Sequence, residues 1–515
     1  MARRKDDAYA RGLWVRTTLA DALRDAAIAT PGRIVVIDGD TRLDCEELYA
    51  RALLLARVLT ARMPTGSVVS FMLPNWQEAA VVYHAATLAG MVVNPILPSL
   101  RDHELRFILD DADTRMAFVP SVFRGHDYAA MLSRVTATLD DPPEVVVVRG
   151  DPGAHITYDD LFAAPQGECP ATLDPDAVRM IMYTSGTTGR PKGVLHSHNT
   201  LHALICQIRD SWRIDPGDTF LVPSPIAHIG GSIYAFECPL LAGSTAVLME
   251  SWDPTAAVEL MTTERCTHMA GATPFLAQLL AAAQAAGTTL PDLKVFICGG
   301  AGVPPSLIRS ATAYFDGAAV SRVYGSTEVP VTTVGALDDP DLAADTDGRP
   351  GIAGIRLVDG EIRARGPQML VGYRQPDDEV GAFDANGFVR TGDLGRWEGD
   401  CLVVTGRAKD LIIRNGENIS PKEVEDVLVG HPAIAEVAVV GVPDARTGER
   451  ACAVIVAANG SEPDVGELRA FLEARGLARF KAPEQVAIWD ALPKNDAGKV
   501  LKHSIRATLS ASEGR

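Results

Sequence analysis

Short apolar runs alternate with longer amphipathic stretches along most of the chain. The apolar runs predict buried strands at residues 68–73, 145–148, 178–183, 219–222, 245–249 and 295–298. The amphipathic stretches, with apolar residues every three or four positions, predict helices at residues 76–88, 255–263 and 273–285. Because such alternation is typical of parallel strands joined by helical crossovers, the pattern predicts an α/β fold with largely parallel sheets.

The pattern changes near residue 350, where glycine and turn residues become dense. Short strands are predicted at residues 361–365 and 401–405. Turn residues at this density break the chain into short strands. We therefore expect a small β-rich subdomain in this part of the chain.

Beyond Arg407 the pattern predicts a compact α+β stretch. Ser420 and Pro421 mark the start of a helix, because serine caps helices and proline suits the first helical position. Two strands and a further helix are predicted at residues 434–442, 451–457 and 465–474. We place a domain boundary near Lys409.

The chain has 515 residues, more than one hydrophobic core usually holds, so we expect several domains. Its 48 lysines and arginines stand against 66 aspartates and glutamates, which gives a net charge of −18. An acidic protein is unsuited to bind a phosphate backbone over a wide surface. Nucleic acid is therefore disfavoured as the main partner.

Cysteine usage and hydropathy bear on the compartment. The 8 cysteines are scattered and show no metal-ligand spacing, which indicates reduced thiols. The basic start is not followed by the apolar segment of a signal peptide. No run of about 18 apolar residues occurs, so we expect no membrane span. Together these features predict a soluble cytoplasmic protein.

The strongest chemical signal is the run from Tyr183 to Gly193, directly after an apolar strand. Its glycines let backbone N–H groups form an anion nest, its hydroxyls can donate to phosphate oxygens, and Lys192 supplies a positive charge. The run is not a Walker A loop, because Pro191 stands where that motif needs glycine. It predicts a phosphate-binding loop of another kind.

The run resembles the signature loop of the acyl-adenylate-forming enzymes, which include acyl-CoA synthetases, peptide-synthetase adenylation domains and luciferases. The resemblance implies that Thr187, Thr188 and Lys192 act in catalysis. It also implies nucleotide contacts from four further residues of the run, Thr184, Ser185, Gly186 and Gly189. Companion motifs should then follow downstream in a fixed order, and they do.

The first companion is Tyr324-Gly325-Ser326-Thr327-Glu328, which resembles the family's Y-G-x-T-E segment. The resemblance implies that Tyr324 packs on adenine, that Thr327 lies near the α-phosphate and that Glu328 holds Mg²⁺. Gly325 and Ser326 are expected beside the nucleotide as well. A carboxylate suits Glu328's role, because Mg²⁺ is a hard cation that stays bound to nucleotide phosphates.

Three further segments resemble nucleotide-binding motifs of the family. The Thr-Gly-Asp motif ends at Asp393, which is expected to accept both ribose hydroxyls. In the Gly-Arg-Ala-Lys-Asp segment, Arg407 is expected to contact the nucleotide and Lys409 to be the hinge between the domains. The loop expected along adenine and the acyl group supplies Gly299, Gly300 and Ala301.

The run from Leu492 to Lys499 resembles the family's C-terminal catalytic loop. Lys499 is expected to neutralise charge that builds on the carboxylate and the α-phosphate in the adenylation transition state. The family usually has threonine before the Gly-Lys pair, whereas this chain has Ala497. That departure removes a hydroxyl and leaves the lysine in place.

These segments occur in the family's order between residues 183 and 499, so the resemblance covers essentially the whole chain. It implies a large N-terminal domain, residues 1–408, of two α/β subdomains plus the β-rich subdomain, and a small mobile α+β domain, residues 409–515. The implied reaction uses Mg²⁺ and ATP to convert a carboxylic acid into an acyl-adenylate with release of pyrophosphate. Coenzyme A then accepts the acyl group and AMP leaves.

The segment 223–231 resembles the family's P-x-x-H-x-x-G motif, which places His228 beside the acyl pocket and among the catalytic residues. Amino-acid-activating relatives carry an aspartate just after it, whereas this chain has none, and an unpaired ammonium in an apolar pocket is costly. Glu237 is the one acid nearby, and its direction is open. The expected lining is small and largely apolar: Ile229, Ser232, Ile233, Phe236, Val329 and Val331.

This lining favours a medium-chain, alicyclic or aromatic acid, and the sequence is most similar to medium-chain and cyclohexanecarboxylate-type CoA ligases. Three alternatives stay open. The enzyme could load a carrier protein instead of coenzyme A, or act as a diazotase that uses ATP, nitrite and an aryl amine. A non-catalytic nucleotide-binding relative is disfavoured, because Lys192, Glu328, Asp393, Arg407 and Lys499 are all present.

Overall fold

The structure is a computed structural model, and it describes residues 2–163, 166–185, 190–300, 302–414, 417–444, 446–458, 460–495 and 498–513. These residues form two large sheets of mostly parallel strands, a four-stranded sheet, a five-stranded sheet and a short two-stranded ribbon, Val122–Phe123 with His126–Asp127. Most helices surround the two large sheets.

The eight-stranded sheet carries the predicted phosphate loop. Its strands in spatial order are Gly372–Tyr373, Pro191–Ser197, Val178–Ser185, Val92–Pro95, Val68–Phe71, Thr114–Val119, Glu144–Val147 and Ile156–Thr157. The strands from Val178–Ser185 onward are parallel, and the first two join antiparallel. All four residues of Val68–Phe71 are buried, as expected where helices cover both faces of a parallel sheet.

The seven-stranded sheet holds the other half of the N-terminal part. Its strands in spatial order are Ala319–Arg322, Val295–Cys298, His268–Gly271, Thr219–Val222, Thr245–Leu248, Ile34–Asp38 and Thr41–Asp44. All neighbours are parallel except the last pair, which forms a hairpin. Loops after the carboxyl ends of parallel strands share one edge of the sheet, which is where α/β proteins place their ligands.

The two smaller sheets are mainly antiparallel. The four-stranded sheet consists of Gly354–Val358, Glu361–Arg365, Val389–Glu398 and Cys401–Arg407. The five-stranded sheet consists of Glu417–Ile419, Ile412–Arg414, Gly448–Ala457 and Ile434–Asp444, with Gln485–Ile488 beside Gly448–Ala457. The predicted boundary at Lys409 falls between the strand that ends at Arg407 and the one that begins at Ile412, and it stays a prediction.

The α-helices are Ala2–Ala10, Leu19–Ala29, Cys45–Arg62, Gln77–Leu88, Asp102–Asp111, Tyr128–Thr136, His198–Ser211, Ile229–Ser232, Cys238–Leu241, Pro254–Thr263, Thr273–Ala286, Pro305–Tyr314, Pro340–Asp345, Pro421–Leu428, Val465–Glu473 and Lys502–Glu513. Single turns of 3₁₀ helix occur at Asp159–Ala163, Pro376–Glu379, Ala408–Asp410 and Arg479–Lys481, and Ile233–Glu237 is a π-helix. No helix in the described part of the chain is long and apolar enough to cross a bilayer.

The two large sheets share one hydrophobic core. Phe71 of the eight-stranded sheet and Phe220 of the seven-stranded sheet belong to the same buried cluster. Phe236 of the π-helix belongs to this cluster too, with its ring centroid 6.3 Å from that of Phe71 and 4.2 Å from that of Tyr83. The two α/β subdomains are therefore packed against each other, and the strand ends that carry the candidate site are held by common core residues.

The predicted fold class is confirmed: a large N-terminal α/β part with a β-rich subdomain precedes a smaller α+β part. Two expectations need correction. The strand predicted to end at Tyr183 continues to Ser185, because it pairs with Pro191–Ser197 in a hairpin. Ser420 does precede its helix, but its hydroxyl makes no cap and donates instead to the main-chain oxygen of Thr405, at 2.5 Å.

Candidate active site

The predicted phosphate loop connects the paired strands Val178–Ser185 and Pro191–Ser197. Thr184 faces Lys192 across the two strands, and Ser185 faces Pro191. Four of the predicted loop residues lie outside the described residues, namely Gly186, Thr187, Thr188 and Gly189. Antiparallel pairing up to Ser185 therefore brings the ends of the loop together and sets Lys192 at its base.

The cations beside the loop have an acidic partner that the sequence did not reveal. Asp378, on the turn Pro376–Glu379, accepts from Arg190 at 2.8 Å and lies 3.4 Å from the Lys192 ammonium. Lys192 also lies over the ring of Tyr373, 5.6 Å from its centroid. Asp378 is 4% exposed, whereas the side chains of Arg190 and Lys192 keep 39% and 21% of their surface exposed.

The segment that begins at Tyr324 follows a strand of the seven-stranded sheet. The Tyr324 N–H donates to the hydroxyl of Thr333 at 2.8 Å, which folds the segment into a tight loop. A Cβ at Gly325 would lie 2.6 Å from the backbone nitrogen of Val331, so only glycine fits there. Val331 itself has φ of 45°, a strained conformation for a β-branched residue.

Hydrogen bonds of the Ser326 hydroxyl and the Thr327 carbonyl hold the rest of this segment. The Ser326 hydroxyl accepts from the Val329 N–H at 3.2 Å, and the Thr327 carbonyl accepts from His196 at 2.8 Å. The Glu328 carboxylate stays half-buried and accepts from the Tyr373 hydroxyl at 3.3 Å. The Thr327 and Glu328 side chains can therefore turn toward a ligand.

Glu328 fits the implied magnesium role by its chemistry. Among the described residues no group of three or more acids, histidines or cysteines could hold a metal ion by itself. Mg²⁺ at nucleotide sites is typically held by one or two carboxylates and by phosphate oxygens. A single accessible carboxylate beside Lys192 and Tyr373 suits that arrangement.

Asp393 and Arg407 form a cross-strand pair in the four-stranded sheet. Their side chains join at 2.9 Å, and the Tyr324 hydroxyl donates to the other Asp393 oxygen at 2.8 Å. Burial and the adjacent Asp393 carboxylate hold the pKa of Tyr324 well above its ordinary value, so it donates at neutral pH. The three predicted nucleotide residues are therefore in direct contact.

Lys499 is brought to the same place from the C-terminal part of the chain. Burial lowers the pKa of Lys499 to about 8, Arg407 adds to the lowering and Asp393 opposes it. Gly498 lies against the start of helix Thr273–Ala286, where a Cβ would be 3.1 Å from Pro274. The C-terminal loop is thus docked on the N-terminal part with its lysine beside the Asp393–Arg407 pair.

Around the predicted hinge the contacts are few. Lys409 is exposed on the turn Ala408–Asp410, and Asp410 accepts from Arg506 at 2.9 Å. The hydrogen bond from Ser420 to Thr405 connects the two sides of this turn. Whether Lys409 acts as a hinge stays a prediction.

The glycine loop after strand Val295–Cys298 lies at the carboxyl edge of the seven-stranded sheet. A Cβ at Gly299 would lie 3.1 Å from the Val323 oxygen, so the backbones approach closely there. Gly300 has φ of 82°, which favours glycine, and faces open space. Ala301 lies outside the described residues.

His228 caps the short helix Ile229–Ser232 through its backbone, and its carbonyl accepts from the Ser232 N–H at 2.8 Å. The preceding loop is braced by Asn75, whose side-chain amide donates to Ser224 at 3.0 Å. A Cβ on Gly230 would meet no atom within 4 Å, so the helix start faces open space. Asn75 was not predicted, because nothing in the sequence links it to this loop.

The six predicted pocket residues differ in exposure. Ile229 and Val331 are half-buried. The other four have at most 1% of their surface exposed: Ser232, Ile233, Phe236 and Val329. Phe236 stacks on Tyr83 in the core, with an interplanar angle of 23°. The half-buried pair is the more accessible to an acid, and the lining itself stays a prediction.

The direction of Glu237 is now defined. Its carboxylate forms a buried ion pair with Arg179 and also accepts from the Tyr83 hydroxyl. Arg179 in turn donates to the Tyr83 oxygen at 2.9 Å. Neither Arg179 nor Tyr83 belongs to a motif, so their role could not be predicted from the sequence. Glu237 is occupied and turned into the core.

The chain matches the protein family described as AMP-binding enzyme over residues 23–374, and the AMP-binding enzyme C-terminal domain over residues 423–499. It is 33% identical to the medium-chain fatty-acid–CoA ligase of Escherichia coli, covering 97% of this chain and 92% of that protein. It is also 33% identical to the salicyl-AMP ligase / salicyl-S-ArCP synthetase of Mycobacterium tuberculosis, covering 98% and 93%.

Among solved structures, ATP-bound MatB from Rhodopseudomonas palustris superposes with a TM-score of 0.85, at 30% identity, over 96% of this chain and 99% of that one. The chain therefore belongs to the AMP-binding enzyme family. It is an adenylate-forming acid ligase, as the motifs predicted, and the family uses ATP, Mg²⁺ and coenzyme A.

Proposed function

We propose that this enzyme activates a medium-chain, alicyclic or aromatic carboxylic acid without an ammonium group and transfers it to the thiol of coenzyme A. The observation that supports this proposal most strongly is the position of Lys499, which comes from the C-terminal part and lies beside Asp393 and Arg407. A docked lysine at a polar site built from distant segments has no structural purpose of its own.

In the first half-reaction a carboxylate oxygen of the acid bonds to the α-phosphorus of ATP, and the bond to pyrophosphate breaks. Asp393 has lone pairs on both oxygens and accepts the ribose hydroxyls. Lys499 neutralises the charge that builds between acid and α-phosphate, while Lys192 and the hydroxyls of Thr187 and Thr188 hold the phosphates. Catalysis is mainly positioning and charge stabilisation.

Glu328 is the residue that would hold Mg²⁺. When bound, the cation supplies charge compensation for the pyrophosphate leaving group. Tyr373 keeps one Glu328 oxygen in place by donating to it. Asp378 keeps Lys192 and Arg190 at the base of the loop, where they meet the same phosphates.

In the second half-reaction the thiol sulfur bonds to the carbonyl carbon of the adenylate, the carbon–oxygen bond to AMP breaks and the thiol proton is released. Lys499 has no part in this step. The resemblance implies that the C-terminal part turns about Lys409 between the two halves. Ser420 and Arg506 make contacts near this turn that such a movement would alter.

The nature of the acid follows from the acyl side of the site. An ammonium group entering an apolar pocket needs a counter-charge. Glu237 is the first acid after His228 in the sequence, and Arg179 already pairs with it in the core. Among the described residues 223–237, none therefore offers a free carboxylate to an α-amino acid.

The direct test is to incubate the enzyme with MgATP, coenzyme A and a panel of straight-chain, alicyclic and aromatic acids, and to identify products by mass spectrometry. We expect AMP together with a new acyl-CoA. The panel should pair acids that differ by the ammonium alone, such as 3-phenylpropanoate and phenylalanine. Activation of phenylalanine but not of 3-phenylpropanoate would overturn the assignment of the acid.

The M. tuberculosis relative, named as a salicyl-S-ArCP synthetase, favours a carrier protein as the second candidate acceptor. The same experiment distinguishes coenzyme A from a carrier protein as the acceptor. Acyl-adenylate and AMP without thioester would retain the first half-reaction and point to a carrier protein. If no acid of the panel yields AMP or adenylate, the proposed activity is wrong.

A further inference from the structure

Arg179, Glu237 and Tyr83 form a buried polar cluster, which we call the Arg179–Glu237 lock. Arg179 lies on the strand that leads into the phosphate loop, Glu237 ends the π-helix, and Tyr83 lies on helix Gln77–Leu88. Arg179 is 3% exposed and the other two residues are 0% exposed. The lock therefore joins three elements at a point that solvent does not reach.

Such a cluster is not explained by stability. Removing two charges from water costs more than their attraction restores unless the geometry is excellent, and apolar residues of similar volume often replace a buried pair without loss. Here the fit is also incomplete, because Arg179 Nε and Glu237 Oε2 have no hydrogen-bond partner. A buried pair of this kind is better suited to fix one conformation than to stabilise the fold.

The conformation that the lock could fix is that of the π-helix Ile233–Glu237. Its last hydrogen bond runs from the Cys238 N–H back to the Ile233 oxygen. A π turn holds one residue more than an α turn, and it is rare outside functional sites. Relaxation to an α-helix would remove that residue from the turn. The preceding residues would then rotate by about 100° relative to the core.

Those preceding residues form the start of the acyl side. Ile229 is half-buried, and Gly230 faces open space. A rotation of this size would move both away from the space beside His228. Glu237 ends the π turn, so whatever fixes Glu237 also fixes the register of Ile229 and Gly230.

We propose that Arg179 and Tyr83 are positioning residues that hold Glu237 so that the π turn persists, and that the lock thereby sets which acids the enzyme selects. This inference rests on the proposed function, since it concerns the acyl side of the same site. It predicts that the lock acts on selectivity among acids and leaves ATP binding unchanged.

The test is the triple variant Tyr83→Phe, Arg179→Met, Glu237→Met, which replaces the lock by apolar side chains of similar volume. Pyrophosphate exchange with ATP is measured for butanoate to dodecanoate, cyclohexanecarboxylate and benzoate. We expect the ratio of kcat/KM between the best ring acid and the best straight-chain acid to change by about ten-fold. The KM for ATP should stay within two-fold of wild type, about the scatter of such measurements.

A matched control is the double variant Glu361→Met, Arg363→Met, which removes an ion pair of 3.0 Å in the four-stranded sheet. It should leave the acid ratio unchanged. A triple variant that loses activity equally for every acid, or that keeps the wild-type ratio, would overturn the inference. A wild-type enzyme that exchanges with none of the acids would instead overturn the proposed function.

The single variant Tyr83→Phe keeps the inference testable if the triple variant does not fold. It removes one hydroxyl and leaves the ion pair, so we expect a change of about two-fold in the acid ratio with no change in the KM for ATP. An unchanged ratio in a folded Tyr83→Phe enzyme, next to an unfolded triple variant, would count against the lock.

Discussion

The nucleotide side and the acyl side of the site both contain an arginine–carboxylate pair with a tyrosine hydroxyl. On the nucleotide side, Arg407 has 43% of its side chain exposed where it meets Asp393. On the acyl side, the side chains of Arg179 and Glu237 are 3% and 0% exposed. An arginine, a carboxylate and a tyrosine thus meet twice, once with a half-exposed arginine beside a buried aspartate and once fully sealed in the core.

The difference teaches what each side can recognise. The half-exposed Arg407 can exchange its contact for one with a ligand, because water and ligand reach the same atoms. A sealed pair can do so only by exposing a buried charge, which is strongly unfavourable. We therefore expect the predicted nucleotide side to offer charge to a charged substrate and the predicted acyl side to offer shape.

The largest effect should come from the nucleotide side. Lys499→Ala removes the cation beside Asp393 and Arg407, and loss of one such charge-stabilising group typically lowers the rate about 10²–10³-fold. We expect a fall of this size in pyrophosphate exchange, with the rank order of acids unchanged. Lys494→Ala is the control, because Lys494 lies on the same loop as Lys499 but its ammonium pairs with Glu436, at 2.6 Å. A fall of less than about ten-fold would contradict the role of Lys499.

The pH dependence should follow from the same lysine. Burial lowers the pKa of Lys499 to about 8, so its charged form is lost as the pH rises through 8 and not near 10.5. At pH 9 about one-tenth of the lysine stays protonated, so the rate constant for adenylate formation should fall about ten-fold between pH 7 and 9. A single-turnover pH profile that is flat up to pH 9.5 would show that this charge is not used.

Two neighbouring glycines sharpen the comparison on the acyl side. Gly230→Ala adds a methyl group to open space and should disfavour cyclohexanecarboxylate against hexanoate by about five-fold in kcat/KM. In Gly231→Ala the new Cβ would lie 2.2 Å from the Pro225 oxygen, so the backbone must move and the melting temperature should fall. If the two variants show the same acid ratio in kcat/KM and the same melting temperature, the acyl space does not begin at Gly230.

The smallest expected effect concerns Tyr373. Tyr373→Phe removes the donor to Glu328, and one hydrogen bond to a charged group is worth about 1.5 kcal/mol or more when it is well formed. Because the Tyr373 hydroxyl lies 3.3 Å from the Glu328 oxygen, we expect this hydrogen bond to be weaker than that. The Mg²⁺ concentration at half-maximal exchange should therefore rise about three-fold.

Calorimetry of ATP binding with and without Mg²⁺ should show a matching loss of the Mg²⁺ effect in Tyr373→Phe, independent of turnover. Tyr128→Phe is the control, because its hydroxyl donates to the Pro98 backbone at 2.7 Å, away from the site. An unchanged Mg²⁺ dependence would show that Tyr373 does not position Glu328.

The fold class and most elements could be predicted from the sequence, because the spacing of hydrophobic residues and the motifs both depend on residues that are close together in the chain. Strands Thr219–Val222, Val295–Cys298 and Glu361–Arg365 have the predicted bounds. Tyr324, Asp393 and Arg407 were each predicted as nucleotide-binding residues from their motifs, but their direct contact with one another was not predicted.

The partners of these residues could not be predicted in the same way. Tyr373 lies on a two-residue edge strand, Asp378 on a turn and Asn75 just before a helix. None of these segments carries a motif, and their contacts depend on tertiary packing. Glu237 shows the limit most clearly. Its position near the acyl segment was evident, but its direction depends on Arg179, 58 positions earlier in the chain.

The register of the four-stranded sheet has a consequence for changes in chain length. Asp393 and Arg407 oppose each other because the tight turn at Gly399 and Asp400 and one register shift between Leu394 and Gly395 together set the pairing of their strands. One residue inserted in this turn would shift the pairing and turn one of the two side chains to the opposite face of the sheet. The turn would act in this way although it lies about 20 Å along the strands from the Asp393–Arg407 pair. This turn should accept many substitutions but no insertion or deletion, and an insertion scan of the chain would find it intolerant although it touches no ligand.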